Sequence, residues 1–323
     1  MSGSTRRTFV LALPAFVVAP TASAQAWPNR PITLVHGFPP GGPVDLLSRI
    51  LAEALSGRLG QPLVIESRSG ATGTIAAADV ARAKPDGYTL LSLPTTFATT
   101  AAMTRTLPYR PVEDFTFIST AAEYPLLLVT YPDSAIRGVP DIIKLARSRA
   151  GPMLFGTGGF GSVQHLSMEL FAAKTSIRLQ HVPYQGQMPA IADLLEERLD
   201  LVLDTPTVLI QLVRSGKLRA LAVTGADRFS ELPDVPTMTE LGLAGLVITG
   251  YQGIVGPAKL PDAITLKISG AIAGGLADPT IVKDLKNIGN CAKPSSPDEF
   301  RSRVINDISR WRSVIEQAHI API

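Results

Sequence analysis

The stretch MLFGTGGFGSVQHLSMELFAAKTSIRLQHVPY, residues 153–184, is the segment whose reading decides the fold. The short apolar run at 153–156 reads as a strand and the glycine-rich 157–162 as a loop. Val163, Leu166, Leu170 and Phe171 recur at helical spacing, and residues 177–184 supply the next strand. An earlier stretch has the same plan. Ile32–Val35 is a strand and GFPPGGPVD (37–45) a loop. Leu47, Ile50, Leu51, Ala54 and Leu55 mark one helical face, and PLVIES (62–67) is a strand. SGATGT (69–74), an alanine-rich helix to about Lys84, a KPDG turn and strand YTLLSL (88–93) follow. Residues 199–225 again read strand, helix, strand, with Asp204 at the carboxyl end of the first strand. Strands alternating with helices call for an α/β fold with mostly parallel sheets and right-handed crossovers. The tail from Asp262 reads as helical, and its last helix, capped by Ser296 or Asp298, buries Phe300, Val304, Ile308, Trp311 and Ile315.

Residues 156–161 match G-x-G-x-x-G, the dinucleotide fingerprint. A ribose site needs an acidic residue about 20 positions further on, yet Thr175 to Ala192 contains no Asp or Glu. No Walker lysine follows either glycine loop. Both loops do lead into a helix N-terminus, where unpaired N–H groups and the helix dipole favour an anion. Gly41 and Gly42 allow close backbone approach, Pro43 suits a first helical position, and Ser162 is the expected N-cap. Thr157 and Ser162 add hydroxyl donors that match carboxylate oxygens. The plainer reading, two tight turns with caps, stays open at this point.

The remaining composition narrows the class. Arg6-Arg7, an apolar run from Phe9 to Ala19 and Ala22-Ser23-Ala24 form an export leader over residues 1–24, with an approximate twin-arginine signal at Thr5–Phe9. Its removal takes the formal net charge from +3 to +1, which argues against a nucleic-acid partner. About 300 residues remain, which suggests two domains. Cys291 is the only cysteine, so no intrachain disulfide forms. His36, His165, His181 and His319 show no ligand spacing, and no GxSxG elbow occurs. Neither a metal, a cofactor nor catalysis is expected.

Six stretches carry a family resemblance. They are WPNRPITLV, the run from PPGGPVDLL to DGYTLL, LPYRPVEDFTFIST, FGTGGFGSVQHLSMELF, HVPYQGQMPAIADLLEERLDLVLDTP and GKLRALAVTGADRFSELPDVPTMTELGL. In this order the chain resembles the Bug family, extracytoplasmic solute receptors of tripartite tricarboxylate transporters. The resemblance implies a two-domain periplasmic binding protein of type II (a Venus flytrap), monomeric, in the periplasm, working with a membrane permease. Domain I would comprise 27–126 and 249–323, and domain II 127–248. It implies a carboxylate ligand held by Phe38, Pro40, Gly41, Gly42 and Asp45, with Thr72 and Thr95, on one side. Across the cleft it implies Thr157, Gly158, Gly161, Ser162, His165, Gln185 and Asp204. Like charges repel, so Asp45 is expected to buttress its own loop. Asp204 could accept from a ligand hydroxyl, an ammonium or a water.

Three positions depart from the family pattern: His36-Gly37, Pro39-Pro40, and Gln187-Met188, whose long side chains would fill part of the pocket or its mouth. A ligand sensor for a membrane receptor, or a nucleotide-dependent enzyme, are the alternatives the residues leave.

Overall fold

The computed structural model describes residues 27–318 and 320–322, together with Gly3. The leader segment thus falls outside the described residues, Gly3 excepted. The chain first lays down β1 (Ile32–His36), α1 (Pro43–Leu59), β2 (Leu63–Ser67), α2 (Thr74–Ala81), β3 (Thr89–Pro94), α3 (Thr96–Met103) and β4 (Phe115–Pro125). It then crosses into a second set: β5 (Leu127–Thr130), α4 (Val139–Ser148), β6 (Met153–Thr157), α5 (Val163–Thr175), β7 (Leu179–Pro183), α6 (Gln187–Leu195), β8 (Leu201–Asp204), α7 (Pro206–Arg214) and β9 (Arg219–Val223). It returns with β10 (Thr249–Pro257), α8 (Asp262–Gly275), α9 (Pro279–Asn287), β11 (Cys291–Ala292) and α10 (Pro297–Gln317).

Two sheets result, in the orders β11-β4-β10-β3-β1-β2 and β7-β6-β8-β5-β9. Each is mixed. The expected parallel pairing holds within a trio, β2-β1-β3 in one and β7-β6-β8 in the other. Antiparallel strands complete both sheets: β10 runs between β3 and β4, and β5 between β8 and β9. The reason lies in the connectivity. A strand that arrives straight from the other sheet needs no helical crossover, so antiparallel entry is open to it.

The helical faces read from the sequence are buried against these sheets. Leu47, Leu51 and Leu55 of α1 and Leu166 and Phe171 of α5 are almost wholly enclosed. Ser296, not Asp298, caps α10, in a reciprocal capping box with Glu299. The five predicted residues of α10 are all in the core. Phe300 meets Phe117 and Tyr251 edge-on, with ring centroids 5.4 and 5.8 Å away. Aromatic pairs favour this geometry.

The two chain crossings lie side by side. Leu126 N–H donates to Thr224 Oγ1 (2.9 Å), Thr224 Oγ1 donates to Ile248 O (2.6 Å) and Ile248 N–H donates to Thr224 O (2.8 Å). Thr224 N–H closes the set on Leu126 O at 3.0 Å. Thr224, 1% exposed, is therefore the common partner of both connecting segments.

Candidate functional site

The carboxyl ends of the six parallel strands face one another. This is where open α/β sheets place their ligands, because loops and helix N-termini converge there. Between them lies a cavity of about 470 Å³. Gly37–Pro39 after β1, Ser69–Thr72 after β2 and Thr96 after β3 form one wall. Gly158, Gly159, Ser162 and Gln164 after β6, with Tyr184–Gln187 after β7, form the other. No lining residue is charged.

Close backbone approach shapes the first wall. A Cβ on Gly37 would stand 2.4 Å from Gly73 Cα, so only glycine lets the two loops touch. Ala71 and Thr72 carry positive φ values of 46° and 54°. Such angles cost a side-chain-bearing residue free energy, and they cluster at sites where a wall must take a fixed shape. Beneath this wall, Asp45 is 2% exposed. It accepts from Gly41 N–H (2.9 Å), Arg49 Nε (2.9 Å) and His36 Nε2 (3.1 Å). Burial pushes its carboxyl upward, but the bonds from Arg49, Gly41 and His36 outweigh burial and hold it below the usual carboxylate range. Burial lowers the pKa of His36, against the opposing pull of Asp45. Its Nδ1 accepts from Phe38 N–H at 3.4 Å, which leaves Nε2–H to donate to Asp45.

The second wall rests on rings. Phe155, His181, His165 and Phe160 are layered, with the two imidazole centroids 4.0 Å apart. Gly161 N–H donates to His165 Nδ1 (3.2 Å). Thr157 Oγ1 donates to Gly159 O (3.1 Å) and so accepts from His181 Nε2 (2.7 Å). Burial, and then the neighbouring His165, push His181 down to about 3, so the ring is neutral at ordinary pH. Ser162 Oγ accepts His165 N–H (3.2 Å) and caps α5. Ser162→Ala is expected to cost about 1 kcal/mol, the ordinary value of an N-cap, read as a lower denaturation midpoint at unchanged slope. Gly186 N–H and Tyr184 N–H bind Gly158 O (3.1 Å) and Thr157 O (3.0 Å), joining the two loops of this wall.

Of the residues expected at the site, Phe38, Thr72, Gly158, Ser162 and Gln185 line the cavity. Pro40, Gly41 and Gly42 do not, and the N–H groups of the two glycines are used internally. Gly41 N–H is taken by Asp45, and Gly42 N–H points to Pro39 O (3.4 Å). Asp45 buttresses the loop as expected. Thr95 is turned onto the backbone of Tyr251, and its neighbour Thr96 faces the cavity instead. Thr157 and His165 sit behind the wall as its supports, and Gly161 opens on a smaller adjoining cavity of about 180 Å³.

Asp204 is fully enclosed at the end of β8. Its Oδ1 accepts from Thr205 N–H (2.6 Å) and Gln164 Nε2 (3.1 Å), while Oδ2 is sealed and without a hydrogen-bond partner among the described residues. Burial pushes its carboxyl up to about 7, against the pull of those two bonds. Gln164 and Tyr184 are cavity residues absent from the sequence expectation. The signal for Gln164 was its place two residues past the N-cap, within the first turn of α5. Gln187 does reach the cavity, and Met188 beside it is 59% exposed. Among the described residues there is no cluster of side chains that could hold a metal ion. No helix among them is long and apolar enough to cross a membrane.

A family model described as "Tripartite tricarboxylate transporter family receptor" matches residues 47–320. The chain belongs to this receptor family. Solved structures agree with the assignment. The receptor superposes on the periplasmic binding protein BugD with a TM-score of 0.85 at 30% identity, covering 91% of this chain and 99% of BugD. Rpa4515 of R. palustris, solved with adipate, gives 0.87 at 35% identity over 92% and 100% of the two chains. MatC of Rhodopseudomonas palustris, solved with bound malate, gives 0.83 at 30% over 90% and 100%. The α/β architecture of the receptor, two mixed sheets flanked by helices, is that of the periplasmic binding proteins, and the family and these neighbours are solute-binding proteins.

Proposed function

We propose that this receptor is exported to the periplasm, captures a small organic carboxylate between two domains and delivers it to the permease of a tripartite transporter. The domains are 27–126 with 249–323, and 127–248. The observation that carries this reading is the uncharged cavity built from the strand ends of both sheets, in a fold whose solved relatives hold adipate and malate. Hydroxyls, side-chain amides and main-chain N–H groups are donors enough. A partly buried helix end contributes up to ~2 kcal/mol to an anion. Each charge-assisted hydrogen bond adds roughly 1.5–3 kcal/mol. Together they reach the ~8 kcal/mol of micromolar affinity without an arginine.

Closure is the functional step in this reading. Ligand stabilises the shut state because only there do both walls touch it. The hinge is the pair of crossings at Leu126, Thr224 and Ile248, whose mutual hydrogen bonds let the two connections bend together. Calorimetry and thermal shift with mono-, di- and tricarboxylates test the proposal. At least one acid is expected to bind with micromolar or tighter Kd and to raise Tm by several degrees. A folded protein that binds none of them would overturn it.

A further inference from the structure

Gln164 stands between the cavity and the buried Asp204. Its position allows a conclusion about the ligand itself. Asp204 Oδ1 accepts from Thr205 N–H at 2.6 Å, and an ionised carboxylate can only accept hydrogen bonds. Against the ionised carboxylate Gln164 can therefore present only its NH₂ group, and the 3.1 Å contact is of this kind. The amide cannot turn round. Its carbonyl oxygen, which takes no hydrogen bond from the described residues, is what remains for the cavity. The side chain of Gln187, also on the wall, approaches the same carboxyl.

This part of the wall thus presents an acceptor backed by an acidic group. A carboxylate placed there would set oxygen against oxygen, and no lining residue supplies a countercharge. A hydroxyl or an amine would fill the vacant lone pair. We propose, resting on the carboxylate reading above, that Gln164 is a specificity-determining residue. It selects a ligand with a single carboxylate held elsewhere in the cavity and a hydrogen-bond donor facing Gln164 Oε1, in preference to a dicarboxylate of equal length.

The test uses the whole receptor and matched trios of straight-chain acids at several chain lengths, each trio comprising the α,ω-dicarboxylate, the ω-hydroxy acid and the plain monocarboxylic acid. At the best-fitting length the ω-hydroxy acid is expected to bind at least tenfold more tightly than both others, since a buried acceptor left unpaired penalises an analogue lacking the donor. In Gln164→Met, a flexible apolar replacement, the affinity ratio of hydroxy to plain acid is expected to fall to about one. A dicarboxylate that binds as well as or better than the hydroxy acid overturns the inference while leaving carboxylate capture intact. So does a plain acid that matches the hydroxy acid, or a ratio unchanged in the variant. If no member of any trio binds to folded protein, carboxylate capture itself fails and takes the inference with it. The wild-type ratios decide the matter even if Gln164→Met does not fold.

Discussion

Replacing Asp204 by Asn is expected to change the stability of the receptor in a strongly pH-dependent way. Burial raises the folded-state pKa of Asp204 to about 7, from an ordinary value of 3.8. Below about pH 4 the carboxyl is protonated in folded and unfolded chains alike and contributes no difference. As pH rises from there, the unfolded chain releases the proton while the folded chain retains it, so stability falls. Above the folded pKa both states are ionised, and the full penalty of burying the charge remains. At about 1.4 kcal/mol per pH unit the gap is worth ~4 kcal/mol. Asn keeps an oxygen for Thr205 N–H and Gln164 Nε2 and has no proton to lose. The stability of Asp204→Asn minus that of the parent should therefore climb by up to ~4 kcal/mol between pH 4 and pH 8. Urea unfolding of both proteins across that range measures it, and a difference independent of pH would refute the account. Using the difference removes carboxylates such as Asp45 and Asp114, whose depressed pKa values act in the opposite direction.

The second large effect is expected at Gly37. Its added methyl group would meet Gly73 Cα at 2.4 Å and Gly73 O at 3.1 Å, with Ala76 Cβ at 3.2 Å. Two of these atoms are backbone and cannot rotate away. Gly37→Ala must therefore separate the loop after β1 from the loop after β2, which together form one wall of the cavity. A loss of ~3 kcal/mol, at the upper end for overpacking, is expected, with ligand affinity lowered at least tenfold because a displacement of this size misplaces the donors. Gly57 is the control. It lies within α1 with nothing within 4 Å of its missing Cβ, so Gly57→Ala should stabilise by about 0.5–1 kcal/mol. Equal stability of Gly37→Ala and the parent would show that the two loops separate at no cost.

Much of the architecture was legible in the residues. β1, β2, β3, β6, β7, β8 and β9 coincide with runs whose apolar pattern and flanking glycines can be read locally. β4, β5 and β10 give no such signal, because their partners lie far off in the chain and their antiparallel direction follows from the crossings, not from any nearby turn. At the candidate site, the glycine loops and the capping serine pointed to strand ends that border the cavity. What could not be read was which N–H groups the protein uses for itself. Gly41 looks like an ideal donor until His36, Asp45 and Arg49 are seen as one buried cluster that claims it. Gln164 was hidden for a related reason. Its role depends on Asp204, forty residues later, and no local pattern links the two.

The placing of β10 has a consequence for how the molecule comes into being. Since β10 (Thr249–Pro257) lies between β3 and β4, nascent chain ending between Pro125 and Thr249 holds two strands whose shared neighbour has not yet been synthesised. Their unsatisfied edges resemble those through which chains aggregate. The first sheet begun is thus among the last things finished, and the receptor acquires its earliest half only after its middle is complete.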